Sequence, residues 1–334
     1  MFEALTLVAS LTLFPGLVFV VALALFSEWY IRKMVARAQS RMGPAYVGPI
    51  GVLQPLADLL KLLTVKEEIR QKYASLGLAK AFVFTGIGAA TASVLLLPLS
   101  PFRLTSPYDF LIYAYLCCVW VPLAMTMYGM SVPSPFTAIG VSRLLSLVAV
   151  IEPVYFASIL VPITLTTHLY GPSCHAPFSI YCTSINSWRL WANPLTVTLM
   201  VLGLVAVLVS VQAKAMLQPF NIPEAEQEVI AGFATEFSGP LLALNNVLHD
   251  VDIAVTALFI TYLYLGGPYP LPHTSLPGAL ILIAKYLLVL TLMVIVKASF
   301  GRFRIEQGVG TVLKYGGVPA AIAVVVASII PLVH

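Results

Sequence analysis

The chain has 334 residues, of which 60% belong to the apolar AVILMFWYC set and only 10% carry charge. An average soluble domain carries about 25% charged residues, so this chain lacks the polar surface of a large soluble enzyme, a nucleic-acid binder or a disordered scaffold. Its mean hydropathy of +0.95 leaves an all-α polytopic membrane protein, with apolar side chains facing the lipid bilayer. The net charge of +4 acquires meaning only once the charges are placed along the chain. Four cysteines without a C-x-x-C spacing suggest neither a zinc site nor an iron–sulfur cluster, so no metal ligand set and no electron carrier is read from the chain itself.

Runs of about 20 apolar residues span a bilayer, and eight are expected: 4–30, 76–98, 108–130, 141–170, 193–217, 239–265, 277–300 and 315–333. Together they make one integral-membrane domain, residues 1–334. The first run has no basic residue before it and exceeds a signal-peptide core in length, so it is read as a retained span. Arg32, Lys33, Arg37, Arg41, Lys61, Lys66, Arg70 and Lys72 follow span one, and Arg302, Arg304 and Lys314 follow span seven. The connections after spans two, four and six hold only Arg103 and Arg189. By the positive-inside rule the basic connections are cytoplasmic, which puts both termini outside a cell membrane. Cys174 and Cys182 then share the outer loop 171–192, where cysteines commonly pair. Cys117 and Cys118 fall inside span three and read as small packing residues.

In the first cytoplasmic loop, Lys33, Arg37 and Arg41 recur every four residues and would share one face of a continued helix. Gly43, Pro44, Gly48, Pro49 and Gly51 then break the chain into turns. Beyond Pro55, Leu56, Leu59, Leu60 and Leu63 mark a short amphipathic helix, with Asp58 and Lys61 on its polar side. Its plainest role is a surface anchor carrying an ion pair. The loop after span five reads QPFNIPEAEQEVIAGFATEFSGP, with Glu224, Glu226, Glu228 and Glu236 and no base. Asn221 and Glu224 have capping-box spacing, which would make Glu224 a helix start. Clustered carboxylates also raise one another's pKa and hold protons, which would make the loop a proton or cation entry site.

Ionisable groups inside spans are costly and usually functional. Glu152 sits about 16 Å into span four at 1.5 Å per residue, followed by the helix-kinking Pro153. In span six, Asn245, His249 and Asp252 share one face, with Asn246 and Asp250 beside it, and span seven contains Lys285. Depth counting puts them at one level, as a transverse ion or proton path or as a structural network.

These residues resemble a known family. RMGPAYVGPIGVLQPLADLLKLLTVKE is similar to the first loop of the H-type membrane subunit of respiratory complex I, called ND-one in mitochondria. PFNIPEAEQEVIAGFATEFSG resembles its acidic loop, and RFRIEQ its last loop. The same family includes subunits of archaeal ferredoxin-dependent complexes, the energy-converting hydrogenases and the sulfane-sulfur reductases. The long V-G-P-I-G-V-L-Q-P-L-A-D run is more like complex I and the sulfur-reductase branch. The resemblance implies a subunit that is not catalytic alone and binds no cofactor. It docks hydrophilic iron–sulfur subunits, sits beside antiporter-like membrane chains, and couples electron transfer to H⁺ or Na⁺ translocation. The acceptor it implies is quinone in complex I, or polysulfide or protons in the archaeal complexes.

By position the resemblance assigns Arg32, Arg41, Gln54, Asp58, Lys61, Lys66, Glu67, Arg302, Arg304 and Gln307 to the acceptor chamber or to docking, and Arg37, on the basic face read above, is grouped with them. To the ion relay it assigns Glu152, nine residues after Arg143, with Glu224, Glu226, Glu228 and Glu236; His249, Asp250, Asp252 and Lys285 join them from the polar level read above. The chain departs from the family at Ile31, where a glutamate is common and Glu28 lies three residues earlier, at Asn221 and Glu306, each in place of aspartate, and at His249, where an acid is expected. A stand-alone transporter would show inverted repeats, and the sequence has no such symmetry. The orientation has a direct test: after reduction, an impermeant thiol reagent should reach Cys174 and Cys182 from outside intact cells. Labelling only from the cytoplasmic side would reverse the topology.

Overall fold

The computed structural model describes residues 10–69, 71–99, 106–171, 176–272 and 275–333, and over these it is built of helices without a strand. Among the described residues, eight helices are long and apolar enough to cross a membrane: α1 (Ser10–Ala38), α3 (Leu76–Val94), α4 (Asp109–Met130), α5 (Pro135–Tyr170), α7 (Pro194–Lys214), α8 (Gly239–Leu263), α9 (Leu276–Ser299) and α10 (Ile305–Ile329). The short helices α2 (Gln54–Thr64) and α6 (Ile180–Asn186) lie in the connections, with briefer helical turns elsewhere in them. The chain is therefore a multi-pass membrane protein. Residues 4–9 of the first expected span, Arg70, Arg103 and Cys174 lie outside the described residues.

Two spans begin earlier than hydropathy suggests. α5 starts at Pro135 rather than 141, because proline suits the first helical turn, where its missing N–H bonds nothing anyway. α10 starts at Ile305 rather than 315, so the RFRIEQ motif is a helix start and not a free loop. There the Gln307 side chain accepts the Arg304 backbone N–H at 3.1 Å, satisfying one of the orphan donors of the first turn.

Helix α8 is the core. In its most apolar stretch 72% of residues are buried within the bundle, against 28% in α9 and α10, whose remaining faces suit lipid. α1, α3 and α9 pack around α8, while α5, α7 and α10 form a second layer, and α4 joins the layers through α3 and α5. Because lipid is as apolar as leucine, close packing and hydrogen bonds must hold such a bundle. Tyr113 stacks on Phe259 and Tyr128 on Phe237, each at 3.9 Å between ring centroids. Between α1 and α9, Ser27 and Tyr286 share a hydrogen bond of 2.6 Å, and Tyr30 and Thr291 one of 2.8 Å.

At the basic end, Ser238 fastens the first loop to the start of α8. Its hydroxyl accepts the Ile69 N–H at 3.0 Å and donates to the Glu67 carbonyl at 3.1 Å. Gly239, with φ +56°, follows under the same strand of chain, where a Cβ would stand 2.8 Å from the Lys66 and Glu67 carbonyls. Helix α2 packs on α1 and α8 through Leu59, leaving Leu56, Leu60 and Leu63 exposed as an apolar stripe. Its expected Asp58–Lys61 pair does not form: Asp58 is taken by Arg32 and Gln54, each at 3.1 Å.

At the opposite end, the buried Asp109 accepts from the Ser179 hydroxyl at 2.8 Å, which ties the 176–192 segment to α4. Trp188 stacks on Tyr269 at 3.9 Å, and the Trp191 indole donates to the Tyr264 carbonyl at 2.7 Å. Lys285 belongs to this end as well. Its ammonium donates to the carbonyls of Leu265, Gly267 and Tyr269 at 2.7–2.9 Å, closing the turn after α8. It is a backbone cap, far along α8 from the Asp252 level at which it was expected.

Candidate functional site

Among the described residues the buried cation is Lys214, the last residue of α7. Its ammonium donates to Glu152 Oε1 at 2.6 Å and lies 3.7 Å from Asp252 Oδ2, with the lysine side chain only 3% exposed. It also donates to the Cys117 carbonyl at 2.9 Å and sits 5.6 Å from the Tyr155 ring centroid, on a face that attracts cations. Four helices thus converge on one ammonium.

Local sequence explains why the carbonyl is free. α4 runs in π geometry from Ala114 to Trp120, where a carbonyl pairs with the N–H five residues on. Five residues after Cys117 stands Pro122, which has no N–H to give. Lys214 takes up the acceptor that proline leaves over. On α5, Pro153 directly follows Glu152 within a continuous helix.

The charge balance of the triad is uneven: two carboxylates face one ammonium. Glu152 Oε2 and Asp252 Oδ1 are buried without a hydrogen-bond partner in the protein. An unpaired buried charge is expensive, and a proton on either free oxygen removes the excess. The arrangement can hold one proton and exchange it between two carboxylates as Lys214 leans toward one or the other. A cavity of ≈ 20 Å³ borders Glu152, Lys214 and Asp252, room for one water.

Toward the basic end the bundle opens into a cavity of ≈ 570 Å³. Arg32, Arg41 and Lys297 supply positive charge to its wall, and Asn221, Glu224 and His249 face them. A side pocket of ≈ 210 Å³ adds Glu28 and Asp250. A vestibule of ≈ 380 Å³ shares Asn221 and Lys297 with the main chamber and adds Glu226, Gln227 and Arg302. Burial pushes the Glu224 carboxyl above the ordinary carboxylate range; His249 offsets part of this, and Asp250 and Glu226 add to it. His249 Nε2 lies 3.0 Å from the Ala215 carbonyl, which only accepts, so that nitrogen carries the hydrogen. Its Nδ1 is 3.9 Å from Asp250.

The acidic loop divides into separate tasks. Glu224 and Glu226 reach the cavities. Glu228 pairs with Arg143 at 2.5 Å and lies 3.7 Å from Arg302, so its bases come from α5 and the segment before α10. Glu236 accepts from Gln71 at 2.5 Å and Ser134 at 2.9 Å, joining three connections. The expected Asn221–Glu224 capping box is absent: the local helix is a single turn, Glu226–Val229, with Ala225 before it.

Of the residues expected in the first loop, Arg32, which lies within α1, and Arg41 line the chamber, and Arg32 also pairs with Glu28. Gln54 and Asp58 brace Arg32 from α2, while Arg37, Lys61, Lys66 and Glu67 present their side chains on the exposed surface. Arg304 is exposed, and Gln307 caps α10. Sequence reasoning passed over Lys214, although a lysine within the apolar run 193–217 carried the same signal as Lys285.

The comparisons with known proteins agree with this architecture. A family model described as NADH dehydrogenase matches residues 11–329. The chain belongs to that family, the H-type membrane subunits of complex I and its relatives. It is also similar to a chain in the solved structure of the membrane-bound sulfane sulfur reductase, an archaeal respiratory membrane complex. That match has a TM-score of 0.76 and 26% sequence identity, and covers 93% of this chain and 97% of the other.

Removing one member of a buried ion pair strands the rest. Lys214→Met should destabilise the protein by about 3–5 kcal/mol, read as a lower Tm. Adding Glu152→Gln to Lys214→Met should restore much of the loss by removing a stranded charge. A double variant no more stable than the single would mean that the ammonium does not hold Glu152 ionised.

Proposed function

We propose that this chain is the coupling subunit of a complex I-like redox pump. Iron–sulfur subunits of a hydrophilic arm dock at its basic, cytoplasmic end and deliver electrons to an acceptor in the ≈ 570 Å³ chamber. Antiporter-like chains beside it complete the membrane arm. The observation that carries this reading is the Glu152–Lys214–Asp252 triad, one proton short of neutrality, buried below a charged chamber open at that end.

The chamber's three cations suit an acceptor that gains negative charge on reduction, as a polysulfide or a quinone does. The charge that develops there draws protons from the chamber wall, where Glu224 and His249 stand. The altered field biases Lys214 between its two carboxylates, and the proton held by the triad passes to the other side of the ammonium. Partner chains set whether H⁺ or Na⁺ leaves the membrane. The salt-bridged Glu228, together with Arg143 and Arg302, forms a strap over the vestibule against which a partner rests.

Glu152→Gln tests this reading, since glutamine keeps the shape and can still accept from Lys214. In vesicles holding the assembled complex, ion movement per electron should fall several-fold while the complex stays intact. An unchanged ratio would make the triad a packing device and send the relay elsewhere.

A further inference from the structure

The chamber and the triad are not continuous. Only Met216 borders both the ≈ 570 Å³ chamber and the ≈ 20 Å³ cavity beside Glu152, Lys214 and Asp252, among the residues lining the two. We infer that Met216 is a hydrophobic gate between acceptor chamber and ionic triad. The inference rests on the coupling role proposed above and adds the residue that keeps the two sites apart.

Three features of the chain build the gate. α7 ends at Lys214, and the chain turns at once, held by the Gln212 side chain donating to the Gln218 carbonyl at 2.6 Å. Met216 takes a left-handed backbone conformation in this turn, φ +45°, which is unfavourable for a residue with a side chain. From this turn Met216, only 5% exposed, lines both cavities. The same three residues reach both sites: Lys214 holds the carboxylates, the Ala215 carbonyl takes His249, and Met216 stands between.

The chemistry of methionine suits the task. It is unbranched and flexible, so it swings between rotamers at low cost, and its thioether is too weak an acceptor to relay a proton. With Met216 in place, the single water the small cavity can take has no hydrogen-bonded route to the chamber. When the side chain swings aside, water can join Glu224 and His249 to the free oxygens of Glu152 and Asp252. The His249 bond to the Ala215 carbonyl couples the turn to events in the chamber, because any movement of that imidazole is passed to the peptide adjoining Met216.

The test uses the assembled complex in vesicles, with electron transfer and ion movement measured together in Met216→Leu, Met216→Ala and Met216→Gln. Leucine keeps an apolar plug, and its ratio of ions to electrons should match the parent. Alanine opens the passage and glutamine wets it at nearly unchanged length. Both should keep electron transfer and lose half or more of the ion movement per electron. Parent-like ratios in assembled alanine and glutamine variants overturn the gate, as does a leucine variant uncoupled to the same extent. If alanine prevents assembly, glutamine decides. A Glu152→Gln control separates the two ideas: coupling lost there but kept in the Met216 variants removes the gate alone, whereas coupling kept in Glu152→Gln removes the relay itself.

Discussion

A lysine ammonium enclosed by four helices sets the terms for the rest of this protein. Burying an ion forfeits its hydration, and the loss is recovered only if partners surround it closely. Here the partners come from α4, α5 and α8, while Lys214 itself ends α7. The ion therefore fixes the relative depth of four spans at one point, in a medium where apolar side chains give no preference for protein over lipid. It also explains the irregular features nearby. The π stretch and Pro122 of α4 free a carbonyl, and the end of α7 at Lys214 lets the ammonium reach across.

What makes the cluster more than a brace is its excess carboxylate. A purely structural pair would balance, and here two buried oxygens are left without partners. One proton shared between two carboxylates is what the proposed coupling needs, since a change of field from the chamber then has two arrangements to choose between. The surroundings favour that link. The chamber carries charge of both signs close to α8, and the same helix contributes His249 to the chamber and Asp252 to the triad, one turn apart. The rest of the basic end is fastened through Ser238, Glu236 and Glu228, which tie the connections there to one another and to α5.

Much of this was legible in the chain. Eight apolar runs and three loop motifs placed the spans, and Glu152 and Asp252 stood out because charged residues are rare in lipid. The expectation of one polar level was right for these two and wrong for Lys285, since depth along separate helices says nothing of which faces meet. Lys285 turned toward backbone carbonyls at the far end, and Lys214 took the place assigned to it. The acidic loop misled in another way. Its four glutamates look alike in sequence, but the base that satisfies Glu228 lies 85 residues away on α5, and the amide that satisfies Glu236 lies 165 residues away in the first connection. Met216 carried no signal at all, because its importance depends on a backbone angle and on two cavities.

If the triad relays protons, electron transfer must change the protonation of the Glu152–Asp252 pair. Redox-triggered infrared difference spectroscopy of the assembled complex reads this directly, through the carbonyl stretch of protonated carboxylic acids. A band in that region should change on reduction and be lost or shifted in Glu152→Gln and in Asp252→Asn. A difference spectrum unaltered by both substitutions would show that the triad keeps its protons throughout turnover, and would contradict the account.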